Sequence, residues 1–114
     1  MSSNLLHPNI PKDPVGSALG WLANAVPGGT RIIVFGSHAR HQARPDSDLD
    51  LLVIEPEVPD RMAEMVRLSD LLGRHLIPAD VVVMSRSAFE LQRTIPNTLA
   101  FRAAQEGDVH EIPN

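Results

Sequence analysis

Two aspartates one residue apart, Asp48 and Asp50, stand at the head of the apolar run Leu49 to Ile54. In an extended chain, residues two apart leave on the same face. The spacing therefore sets both carboxylates side by side and turns Leu49 and Leu51 toward a core. Neighbouring carboxylates repel, and a hard divalent cation that favours oxygen, Mg²⁺ first, relieves the repulsion. A third acid, Asp80, opens another β-prone run, Asp80-Val81-Val82-Val83-Met84. If the two strands are neighbours, Asp80 lands beside the pair. A bare Asp-x-Asp is so short that a solvated pair at the start of a strand is the better reading. Three acids at the entries of central strands point instead to a metal site.

Upstream, Gly36-Ser37 follows the buried-strand run Arg31-Ile32-Ile33-Val34-Phe35. Glycine there lets the backbone turn sharply and approach a ligand. If a helical turn follows at Ser37 to Arg40, its free N–H groups and the Ser37 hydroxyl can hold a phosphate. Alone, Gly-Ser is a simple turn with a serine cap. Beside three aspartates it reads as the phosphate half of a metal–triphosphate site.

These residues need a frame. Asp13-Pro14 looks like an N-cap followed by proline in the first helical turn. Val15, Ala18, Leu19, Leu22 and Val26 then recur at helical spacing until Pro27-Gly28-Gly29. Strands are expected at 31–35, 49–54 and 80–84, with the longest helix at about 59–76. Ser87 and Glu90 have the spacing of a capping box for a short helix. Pro96 opens a last helix that closes at Gly107. The order predicts an α/β fold, a small sheet flanked by helices on one or both faces. Residues 1–12 are polar and proline-punctuated and read as a loose tail, leaving 13–114 as one domain.

The composition narrows the chemistry. The 114 residues include no cysteine, so any metal must sit on oxygen or imidazole. The five histidines, His7, His38, His41, His75 and His110, are scattered and form no metal pattern. No apolar run approaches the roughly 20 residues that cross a bilayer, and the N-terminus does not read as a signal peptide; a cytoplasmic place and no membrane partner are expected. A net charge of −4 with scattered arginines argues against tracking along nucleic acid. Trp21 reads as a core or partner-facing residue of the first helix, and Arg44 as a solvated loop residue.

The combination Gly36-Ser37-His38-Ala39-Arg40, Ser47-Asp48-Leu49-Asp50-Leu51 and a later Asp80 resembles the DNA polymerase beta-like nucleotidyltransferases, and among them the minimal nucleotidyltransferases. The likeness runs from about Pro14 to Ile112. It implies the mixed sheet of that fold, two Mg²⁺ ions held by Asp48, Asp50 and Asp80, and ATP as substrate. It also implies that Gly36, Ser37, Arg40 and Ser47 bind the nucleotide, although Arg40 serves equally well to tie the loop to an aspartate. The family usually has glycine where this chain has His41, whose β-carbon restricts the turn toward Ser47.

The resemblance further implies a toxin–antitoxin pair in which a helical HEPN-type protein is the toxin. This chain would be the antitoxin and would add AMP to a toxin tyrosine. Two other readings stand beside it: a module that neutralises its partner by occlusion, and an enzyme that transfers nucleotides to RNA or a small molecule. A homo- or hetero-oligomer fits a domain this small.

Overall fold

The computed structural model describes residues 13–39 and 48–114. The first helix, α1 (Pro14–Ala23), starts as its sequence requires: Asp13 Oδ1 accepts from Gly16 N at 3.1 Å, and proline fills the first helical position. It ends at Asn24, before Pro27-Gly28-Gly29, and turns carry the chain to β1.

Four strands make one mixed sheet in the order β3-β2-β1-β4. The central pair, β1 (Arg31–Phe35) and β2 (Leu49–Glu55), is antiparallel, with Phe35 opposite Asp50. Strand β3 (Ala79–Ser85) runs parallel to β2, with Asp80 opposite Asp50. Strand β4 (Asp108–Glu111) runs antiparallel to β1. The fold is therefore α/β, as expected, with two differences. Asp80 begins a border strand and not a central one. Beyond Gly107, where the spacing predicts no element, the chain forms β4. Asp-Val-His-Glu carries little strand signal of its own; its pairing with β1, extended by Ile112 N donating to Thr30 O at 2.8 Å, makes it a strand.

Alternation along β2 feeds two cores. Leu49, Leu51 and Val53 face α1 and α2 (Arg61–Arg74), where Ala18, Leu22, Leu68 and Leu72 complete a buried cluster. Leu52 and Ile54 face the other way, with Ile33, Phe35, Met84, and Phe89 of α3 (Arg86–Gln92) and Ala100 and Ala103 of α4 (Leu99–Glu106). Helices therefore cover both faces.

The helix ends refine the sequence expectations. Asp60 caps α2, its Oδ1 accepting from Ala63 N at 3.0 Å. That helix stops at His75, where Leu76 takes the left-handed φ of 59° and Ile77 N returns to Leu72 O. Ser85, and not Ser87, caps α3. Strand β3 delivers Ser85 in extended backbone, so its Oγ accepts from Ala88 N at 3.2 Å and Ser87 falls inside the first turn. Thr98, and not Pro96, opens α4: Pro96 and Asn97 (φ 69°) form the preceding turn, and Thr98 Oγ1 accepts from Phe101 N at 3.1 Å.

Two polar features bear on later points. At the sheet border, Arg61 Nε donates to Val83 O at 2.7 Å. On the α2 side, buried Glu55 is hydrogen-bonded to Glu64, which takes two bonds from Arg67, 2.9 Å from Nε and 2.6 Å from Nη2. Burial pushes Glu55 up to about 8, while the bonds from Arg67 pull Glu64 down to about 2. Among the described residues, no helix is long and apolar enough to cross a membrane.

Candidate active site

The register of the parallel pair decides where the acids meet. Cα partners in adjacent strands point to the same face, so Asp50 and Asp80 stand side by side at the entry of β2 and β3. Both lie on the face that carries α3 and α4, because Leu52, Ile54 and Met84 follow them there at even spacing. Asp48 lies two residues ahead of Asp50, exposed, just before the strand starts. Asp80 is exposed and Asp50 half-buried.

Gly36 is fitted to this corner twice over. Its φ of +74° lies in the left-handed region that glycine tolerates. A β-carbon there would also overlap the Asp50 carboxylate. The turn that follows, Gly36 to Ala39, therefore begins against the Asp50 carboxylate, with Ser37 next in the chain and half-buried. The described residues of this stretch, Gly36 to Ala39, form a turn. Arg40 and Ser47, along with His41 and Arg44, lie outside the described residues.

The acids share one electrostatic field. Burial raises the Asp50 carboxyl above its ordinary range, and the charges of Asp80 and Asp48 raise it further; Arg102 and His38 pull it back. A carboxyl whose ionisation is opposed by acidic neighbours suits a hard divalent cation. Among the described residues no three acidic or imidazole groups form a ready-made cage. Mg²⁺ requires none, since it keeps several waters and takes one or two carboxylates together with substrate phosphates.

Sequence reasoning missed Arg102. It sits on α4, and its guanidinium carbon lies 5.4 Å from the Phe35 ring centroid, within cation–π range. Phe35 pairs with Asp50, and Gly36-Ser37 follow it directly, so Arg102 hangs over the junction of acids and turn. Its Nε donates to Glu106 at 3.1 Å, an i,i+4 pair. A single arginine in a short helix gives no signal; only the packing of α4 on β1 aims it. Gly107 permits that packing, since a β-carbon there would collide with Ile33 and the Ala103 carbonyl. Trp21 lies away from the acids, stacked on His75 with ring centroids 3.6 Å apart.

Comparison with known proteins follows the same line. The family model described as "Nucleotidyltransferase domain" matches residues 19–103. No curated protein matches the chain. A crystal structure of a mutant of the toxin–antitoxin MntA–HpeT is similar in fold, with 21% identity, a TM-score of 0.59, and coverage of 82% of this chain and 69% of that one. A crystal structure of a toxin–antitoxin with AMP-PNP gives 21% identity and a TM-score of 0.58, covering 84% of this chain and 68% of that one.

Proposed function

This chain belongs to the nucleotidyltransferase domain family, and from that premise we propose that it is an antitoxin that transfers AMP from ATP to a tyrosine of a HEPN-type toxin. The observation that carries the reading is the register that sets Asp80 against Asp50, with Gly36 packed on the same carboxylate. Asp48 and Asp50 would hold Mg²⁺, and Asp80 would complete the second position. Two bound Mg²⁺ ions would supply charge neutralisation for the triphosphate and an acidified acceptor hydroxyl.

The chain's own residues do the rest. Gly36 and Ser37 offer backbone N–H groups and a hydroxyl to the β- and γ-phosphates, with Arg40 and Ser47 assigned to the same nucleotide. Asp80 accepts the proton as the acceptor oxygen bonds to the α-phosphorus. The bond from that phosphorus to the bridging oxygen breaks, and pyrophosphate leaves. A tyrosine hydroxyl is a competent nucleophile once its proton is taken. The likeness in fold to two toxin–antitoxin structures, one with AMP-PNP, supports this choice of partner and nucleotide.

The test is incubation with the partner toxin, ATP and Mg²⁺, followed by intact-mass measurement. The expected result is AMP added to the toxin and loss of toxicity. A toxin that is neutralised without gaining mass would overturn the transfer reading in favour of occlusion. Labelling of bulk tRNA would redirect it to an RNA acceptor.

A further inference from the structure

Helix α4 turns one side to the core through Ala100 and Ala103. Thr98, Phe101, Arg102 and Gln105 recur at three- and four-residue spacing and so share its other side. Together with the Pro96-Asn97 turn they line an open groove of about 510 Å³. One of its walls, Arg102, is the residue that hangs over Phe35 beside Asp50. Arg102 therefore belongs both to the groove and to the charged surroundings of Asp50.

We propose that this groove is the nucleobase subsite, with Phe101 as its stacking surface and Arg102 as the phosphate-binding cation that joins it to the metal-binding acids. The proposal rests on the nucleotidyl-transfer reading. Several observations support it. The volume lies within the range of small-ligand sites. The chain has three phenylalanines, one tryptophan and no tyrosine. Phe35 and Phe89 are buried in the core, and Trp21 is stacked on His75. That leaves half-buried Phe101 as the aromatic ring of a groove whose wall includes Arg102. Aromatic faces hold bases without regard to edge pattern, and Gln105, one turn along, carries an amide that can donate to and accept from a base edge. Arg102 suits a triphosphate because a guanidinium binds phosphate in bidentate fashion.

A second groove, about 310 Å³, fits less well. It lies along β3 toward Ser85, away from the Asp80 end, and Arg61 in its wall is committed to Val83 O.

The test is calorimetric titration with Mg²⁺ plus either AMP-PNP or inorganic tripolyphosphate, the second being a probe without a base. Phe101→Leu, which keeps apolar bulk, should weaken AMP-PNP by roughly tenfold and leave tripolyphosphate unchanged. Phe101→Trp should restore AMP-PNP binding. Arg102→Gln should weaken both probes by roughly tenfold. Melting curves matching wild type exclude misfolding; a variant that melts early is replaced by Gln105→Ala, expected to weaken AMP-PNP alone. Wild-type affinity for AMP-PNP in Phe101→Leu overturns the subsite and leaves the transfer reading standing. A wild-type chain that binds neither probe overturns both.

Discussion

At its entry, β2 sets Asp50 against Asp80 and Asp48; at its exit, five residues on and hence on the opposite face, it sets Glu55 against Glu64. Both are places where carboxyls crowd together in partial burial. At the exit the protein settles the charge internally. Glu55 keeps a proton at neutral pH, Glu64 is ionised, and Arg67 balances it while also donating to Ala25 O at 2.8 Å. At the entry, Asp80 and Asp48 press on Asp50 while Arg102 and His38 offset them in part, and under the proposed function a cation would complete the balance. Acids that serve the fold close their own circuit, whereas the acids proposed to hold metal leave it open.

That contrast can be broken by substitution, and the entry should give the largest effect. Asp50→Asn is expected to lower AMP transfer by about 10³-fold or more, the rate equivalent of losing several kcal/mol of metal-derived stabilisation. Its melting temperature should equal or exceed that of wild type, since a carboxyl resisted by its neighbours has gone. A variant that melts early with transfer intact would reverse the assignment.

The exit should behave in the opposite way. Arg67→Ala strips Glu64 of both its bonds and should cost about 1–3 kcal/mol in urea unfolding, with transfer per folded molecule unchanged. Loss of transfer in excess of loss of fold would connect the two clusters.

The smallest effect concerns pH. Glu55 holds its proton more tightly folded than unfolded, so its contribution is complete below about 4.5 and is lost as pH rises through about 8. Glu64 has the opposite sign: its contribution is present above about 4.5 and is lost as pH falls through about 2. Between pH 5 and 8.5, then, Glu55 is the member of this pair whose contribution changes, and wild type should lose several degrees of melting temperature that Glu55→Gln retains. Parallel curves for the two proteins would contradict a protonated Glu55.

Much of the frame was legible because apolar runs and caps act locally. The strands at 31–35, 49–54 and 80–84 and the Asp13-Pro14 start need no distant partner to be recognised. Asp50 and Asp80 could be paired only conditionally, because adjacency of β2 and β3 is a property of the sheet. What escaped depends on tertiary placement. β4 is a strand because β1 offers it an edge, Ser85 outranks Ser87 because of where β3 ends, and Arg102 matters because α4 lies on β1. The Glu55–Glu64 contact joins residues nine positions apart through the sheet–helix interface, a separation that no spacing rule flags.

The guanidinium of Arg61 on the Val83 carbonyl has its own corollary. Strand β3 borders the sheet, and an uncovered row of amides there would be a template for intermolecular zipping. With a cation seated on that row, a second ribbon must first dislodge it. Copies of this chain should therefore resist growing edge to edge through that rim.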